Sequence, residues 1–89
     1  MKYKVDFSKA AEDQLESIPK VDVKKILKRA EKLGSNPFPA GYEHIKGSQI
    51  DIYRVRQGDY RILYTVNEER LIVLVVKVGH RKEVYRHFR

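Results

Sequence analysis

The chain contains no cysteine, which rules out disulfide staples and thiolate zinc sites. The absence fits a cytosolic protein. Its three histidines are scattered and show no H-E-x-x-H or comparable ligand spacing, so neither a metal nor any other cofactor is expected. Long apolar runs are also missing. The longest, Leu71 to Val76, is far too short to cross a bilayer. Lys2 and Lys4 interrupt the start of the chain where a leader would place its apolar stretch. These features together read as a soluble, cytoplasmic protein with no membrane partner. Acidic residues are the scarcer charge: 12 Asp and Glu stand against 19 Lys and Arg, a net charge of +7 over 89 residues. Such a balance favours polyanionic partners over simple solubility. The length suits one domain, 1–89, whose fold must rest on hydrophobic packing.

Residues 2–7 alternate Tyr3, Val5 and Phe7 with Lys4 and Asp6, the pattern of a half-buried strand. Ser8 is placed to cap a helix, with Glu12 and Asp13 near its positive end. Ala11, Leu15 and Ile18 form that helix's apolar stripe, and Pro19 ends it. A second helix begins near Lys20 to Asp22 and runs to about Leu33, with Val23, Ile26, Leu27, Ala30 and Leu33 at helical spacing. Gly34 reads as its left-handed cap. Residues 35–42 form a loop, and His44 to Gly47 a short edge strand. Ile50 to Gln57, Tyr60 to Val66 and Leu71 to Gly79 read as strands. The tail 81–89 is charged and aromatic, with room for one helical turn. The expected fold is α+β: an N-terminal strand, a two-helix hairpin, then a mainly antiparallel sheet of three or four strands with the helices on one face.

The most informative stretch runs from Ile52 to Tyr64. Gly58-Asp59 is a hairpin signal that suits a type II′ turn. That turn pairs Gln57 with Tyr60 and Arg56 with Arg61. The two-residue period of a strand then puts Arg54, Arg56 and Arg61 on one face, with Tyr53, Val55, Tyr60, Ile62 and Tyr64 on the other. Like charges directly opposite one another are destabilising, so the pair points to an anionic ligand, phosphate first. In the next hairpin, an odd-length loop puts Lys77 opposite Arg61 and spares the core an unpaired lysine. It also places Ile72, Leu74, Val76 and Val78 in the core and carries Arg81 toward the arginine side.

The expected basic face therefore holds Arg54, Arg56, Arg61, Lys77 and Arg81, with Tyr85 close behind. Guanidinium groups grip phosphate bidentately and keep their charge. They can stabilise the charge that builds on a phosphorane, but they are poor proton carriers. Proton transfer falls to other groups. Tyr85 could donate a proton or stack on a base. His80 titrates in the physiological range, although alternation points it away from Arg81 unless the strand ends at Gly79. Glu83 and Asp59 read as local partners of arginine, and Tyr53, Tyr60 and Tyr64 as core or rim aromatics. The second helix presents Lys24, Lys25, Lys28, Arg29 and Lys32 on its other face. These read first as a solvated surface and second as contacts to RNA. Lys82 is a further RNA-contact candidate.

The ordered set Tyr53-Arg54-Val55-Arg56, Gly58-Asp59-Tyr60-Arg61-Ile62-Leu63-Tyr64 and Val78-Gly79-His80-Arg81-Lys82-Glu83-Val84-Tyr85 resembles the RelE branch of the RelE/ParE toxin superfamily, and the likeness spans the chain. The resemblance implies a toxin that cuts messenger RNA in the ribosomal A site by attack of a 2′-hydroxyl on its own phosphate. It also implies partners. These are a RelB-like antitoxin, the ribosome with its messenger and small-subunit RNA, and operator DNA bound only as the toxin–antitoxin complex. By position, Arg61 and Arg81 match the family's phosphate-stabilising arginines, and Tyr85 matches its C-terminal tyrosine. Arg54 and Arg56 fall where well-studied members carry lysines, which leaves the proton acceptor open among His80, Tyr85 and a ribosomal group. Two other classes stand beside this one: a non-enzymatic ParE-type inhibitor of DNA gyrase, and a module that only grips nucleic-acid phosphate.

Overall fold

A computed structural model of the chain describes residues 2–47 and 49–80. Strand β1 (Lys4–Phe7) leads into helix α1 (Lys9–Glu16) through Ser8. The Ser8 hydroxyl accepts from the Ala11 amide at 3.1 Å and donates to the Val76 carbonyl at 3.1 Å. One side chain thus caps a helix and ties its start to the sheet, as the capping preference of serine allows. Helix α1 stops at Ser17, whose amide turns back to Gln14 and Leu15. Helix α2 (Lys20–Leu33) follows Pro19 and buries Ile26, Ala30 and Leu33 of the expected stripe, while Val23 is half-buried and Leu27 is exposed.

Gly34 is not a left-handed cap. Its φ of −64° and ψ of −32° are ordinary right-handed values. Glycine is needed there for a different reason: a Cβ would meet the Tyr3 carbonyl at 2.8 Å, because the Tyr3 amide donates to the Gly34 carbonyl at 2.6 Å. Close backbone approach, rather than turn conformation, selects glycine at this position.

Four strands follow the helices: β2 (Glu43–Ile45), β3 (Ile52–Gln57), β4 (Tyr60–Asn67) and β5 (Ile72–His80). The five-stranded sheet has the order β1-β5-β4-β3-β2. Strand β1 runs parallel to β5, and every other neighbour is antiparallel. The architecture is the α+β arrangement expected. Both helices pack on one face, where Ala11, Ile26, Ala30 and Leu33 meet Val55, Ile62, Tyr64, Val73, Val75 and Val78. Tyr64 is fully buried and donates to the Pro37 carbonyl at 2.6 Å, which anchors the loop after α2. Tyr53 packs against Phe38, Tyr42, His44 and Tyr64 at ring separations of 5.1–5.9 Å. It closes the core at the β2 edge.

The β4–β5 pairing departs from expectation in an instructive way. The connection is four residues long, 68–71, so Asn67 pairs with Ile72 and Tyr64 with Val75. Asn67 Oδ1 accepts from the Glu69 and Arg70 amides, and Leu71 takes a φ of 57° to complete the turn. This register buries Val73 and Val75 rather than Ile72 and Leu74. A β-bulge between Leu63 and Tyr64 then shifts the pairing by one residue, so Leu63 faces Lys77 and Ile62 faces Val78. Because a one-residue slip exchanges faces, Val78 enters the core. Val76 packs instead with Ile52, Leu63 and Ile45 on the face away from the helices. Lys77 reaches that same face as expected, but opposite Leu63 rather than Arg61. The loop has the even length that the cost of burying a lysine argues against, and without the bulge Lys77 would face Ile62 in the core; the bulge, invisible to alternation, selected both its face and its partner.

Candidate functional site

The site is built on the β3–β4 hairpin and the end of β5. Gly58 turns the chain with a φ of 60°, and Asp59 keeps a negative φ, as a type II′ turn requires. Gln57 pairs with Tyr60 and Arg56 with Arg61, so both arginines occupy the face away from the helices. Arg54 shares that face, beside Leu63. Two cross-strand rows result. Arg54, Leu63 and Lys77 form one, and Arg56, Arg61 and Gly79 the other. Side chains directly opposite in such rows lie about 4.5–5.5 Å apart at Cβ. Gly79 contributes no side chain to the second row, and Arg61 has a neighbouring cation across the pair in Arg56.

The four cations are not equivalent. Arg56 is exposed, and Arg61 is half-buried with its Nε withdrawn from solvent. The Arg54 side chain is only 11% exposed and forms an ion pair with Glu43, its cross-strand partner on β2. An internal carboxylate therefore already offsets part of its charge. Lys77 is 8% exposed, the one buried charged residue of the described chain. Burial lowers its pKa below the ordinary lysine value by penalising the ammonium form.

Other candidates sit elsewhere. His80 pairs with Tyr60 and touches its ring, which puts it on the helix side of the sheet rather than with the arginines. There it lines a cleft of ≈ 350 Å³ with Asp22, Lys25, Gln57, Gly58, Asp59 and Tyr60. The Tyr60 hydroxyl points to Asp22 at 3.4 Å, and burial followed by Asp22 raises its pKa. Asp59 also lines this cleft and is not seen pairing with an arginine among the described residues. Lys24, Lys25 and Lys28 are exposed on α2, in the layer on the other side of the sheet from Arg56 and Arg61. Arg81, Lys82, Glu83 and Tyr85 lie outside the described residues. Among the described residues no group of His, Cys, Asp or Glu side chains is arranged to hold a metal ion, and no helix is long and apolar enough to cross a membrane.

Sequence reasoning missed Glu43 as the partner of Arg54. Its signal was present: extending the expected edge strand by one residue before His44 places Glu43 opposite Arg54. It also missed how deeply Lys77 is buried, for which the sequence holds no sign beyond its apolar neighbours.

The chain is a small α+β domain with a cationic row on the helix-free face of its sheet. Comparison with known proteins narrows that class. Residues 5–85 match the model of the ParE toxin of the type II toxin–antitoxin system parDE. The RelE1 chain of Methanocaldococcus jannaschii is 31% identical over 98% of this chain and 99% of its own length. The archaeal RelE–RelB complex of Pyrococcus horikoshii contains a chain 30% identical, with a TM-score of 0.79, covering 94% of this chain and all of that one. A chain of the RelBE2 toxin–antitoxin complex of Mycobacterium tuberculosis shares the fold, with a TM-score of 0.81 at 24% identity over 91% of this chain and 100% of its own. The protein belongs to the ParE toxin family, within the RelE/ParE superfamily of type II toxin–antitoxin toxins.

Proposed function

We propose that this chain is the toxin of a RelBE-type pair and acts as a ribosome-dependent endoribonuclease. The observation that carries the reading is the row Arg56–Arg61–Gly79 beside Lys77: paired cations on the face opposite both helices. A phosphodiester of messenger RNA docked there meets Arg56 and Arg61 as bidentate donors. As the 2′-hydroxyl attacks, charge grows on the non-bridging oxygens, and guanidinium groups held on one face stabilise it. Arg54, held by Glu43, serves better as a fixed support for this row than as a mobile phosphate ligand. Arg81 and Tyr85 carry the roles that the family resemblance implies: a second phosphate-stabilising guanidinium and a group that orients the substrate.

The ribosomal A site would supply the confined geometry that this small, shallow face lacks. Lys24, Lys25 and Lys28, on the opposite layer, suit contacts to small-subunit RNA, with Lys77 nearer the messenger, and Lys82 remains an RNA-contact candidate from the sequence. The free chain's charge of +7 suits an acidic, RelB-like antitoxin that folds as it wraps the toxin. The partner named in the Pyrococcus horikoshii complex supports this choice. Operator DNA would be bound only by the joint complex, and the site of action is the cytoplasm, where ribosomes are.

A second reading has its own support, since the matching family model is named for ParE. A ribosome-programmed cleavage assay separates the two. The nuclease cuts messenger at defined codon positions only when ribosomes are present. A gyrase inhibitor leaves messenger intact and stabilises breaks in DNA, and a phosphate-gripping binder does neither. Intact messenger at every codon would discard the nuclease reading.

A further inference from the structure

The chain carries 19 basic residues against 12 acidic ones, yet one of its grooves is lined by three carboxylates and no cation. It lies where the loop after α2 meets the start of β3 and the end of β4, at the opposite end of this strand pair from the Gly58-Asp59 turn. Its volume is ≈ 590 Å³, within the range of sites that enclose a ligand. Phe38, Ile50, Tyr53 and Val66 make up the apolar lining, and Asp51, Glu68 and Glu69 supply the carboxylates. Lys46 and Arg70 are near in sequence but do not line it.

The apolar lining is incompletely covered. Ile50 is 61% exposed, and Tyr42, whose ring packs on Phe38 and Tyr53, is 40% exposed. Large apolar side chains gathered at one place and rimmed by polar groups mark a contact surface. The Tyr53 side chain makes ring contacts but no hydrogen bond among the described residues, so its hydroxyl is left with its bonding capacity unused. Burial, then the charges of Asp51, Tyr42 and Glu68, raise the Tyr53 pKa, which sets the hydroxyl in the field of both carboxylates. Asp51 pairs with the exposed His44 at 3.0 Å. Glu68 and Glu69 form no ion pair among the described residues.

We propose that this groove binds a cationic segment of a partner protein, an extended stretch that sets an arginine beside Asp51, Tyr53 and Glu68 and a neighbouring aliphatic side chain against Ile50 and Val66. Charge complementarity selects the occupant. A guanidinium donates to both carboxylates, and the Tyr53 hydroxyl accepts from it. RNA is excluded, because its phosphates would meet three carboxylates. A second copy of the chain is disfavoured by the mutual repulsion of two molecules at +7 each. Among the described residues no carboxylate group is arranged to hold a metal ion, and the apolar half of the lining would be wasted on one. The two poles of the sheet then sort partners by charge, anions to the arginine face and a basic peptide to this groove. The inference is independent of the nuclease reading, and the presence or absence of messenger cleavage does not bear on it.

The test is an amide NMR titration of the full chain with three probes: a capped peptide alternating arginine and leucine, the same peptide with glutamate in place of arginine, and oligouridylate. The arginine peptide should shift the amides of Tyr53, Val66 and Glu68 and leave those of Arg56 and Arg61 in place. Neither the glutamate peptide nor oligouridylate should shift the groove. Asp51→Asn combined with Glu68→Gln should weaken the arginine peptide about 3–10-fold and flatten its salt dependence. Ile50→Ser should weaken it at every salt concentration. All three side chains are exposed, so the fold should hold, and the undisturbed amides of the core verify that it does. Equal binding by wild type and the double variant, shifts scattered over other surface carboxylates, or groove shifts with oligouridylate overturn the proposal. Groove shifts that grow with chain concentration alone overturn it too, because a second copy is then the occupant.

Discussion

The two faces of the sheet solve opposite problems. On the helix side, Val55, Ile62, Tyr64, Val73, Val75 and Val78 meet α1 and α2, and every buried side chain is apolar or, like Tyr64, hydrogen-bonded. On the other side, Ile52, Leu63 and Val76 form a smaller apolar patch among Arg54, Arg56, Arg61 and Lys77. The first face is arranged for stability. The second sets like charges opposite one another and desolvates a lysine, both of which oppose folding. Under the function proposed above, this is the face kept for the phosphate.

The comparison can be broken most forcefully at Arg61. Arg61→Ala should cost cleavage on programmed ribosomes about 10²–10³-fold, the usual effect of removing one charge-stabilising donor. It should leave the melting temperature close to wild type, because Arg61 is not part of the helix-side core. A variant that melts early but cuts normally would show that the cationic face is structural.

Gly34→Ala should do the reverse. The added methyl meets the Tyr3 carbonyl, so β1 or the end of α2 must shift, at a cost of about 1–3 kcal/mol. Denaturant titration measures the loss. Stability equal to wild type would mean that the β1–α2 contact gives way freely.

Tyr64→Phe sharpens the view of the core through pH. Burial raises the Tyr64 pKa well above the ordinary tyrosine value, with Arg29 pulling it partly back. A group whose folded pKa is raised contributes stability that is complete below its unfolded pKa, about 10 for tyrosine, and is lost as pH rises beyond it. The wild type should therefore lose stability steeply in alkali. Tyr64→Phe should start about 1 kcal/mol less stable near neutrality, since the Pro37 carbonyl loses its donor. It should decline less with pH. Parallel stability curves for the two chains would reject this account.

The smallest effect belongs to the outer surface of α2. Lys28→Ala should flatten the salt dependence of ribosome binding by about 0.7–0.9 in logarithmic slope, the share of one phosphate contact. It should leave the cleavage step alone. An unchanged slope would return α2 to plain solvation and confine RNA contact to the arginine face.

Much of this was legible in the chain. Ser8 starts the first helix because capping is a local effect, whereas that helix ends at Ser17, before Pro19, which stands at the start of the second. Gly58-Asp59 set the β3–β4 register, and with it the Arg56–Arg61 pairing, because a two-residue turn leaves no freedom of alignment. The placement of Lys77 was not legible: the expected odd-length loop is absent, and a bulge chose both its face and its neighbour.

By itself, the order of residues determined the two helices, the β3–β4 hairpin and the placing of Arg54, Arg56 and Arg61 on one side, since each follows from periods and turns a few residues long. Only tertiary structure decided that Glu43 reaches Arg54, that His80 sits with Tyr60 across the sheet, that Gly34 is required by a carbonyl thirty-one positions earlier in the chain, and that Lys77 is stripped of water. Each of those depends on contacts between segments distant along the chain, and local pattern carries no record of which distant surfaces will meet.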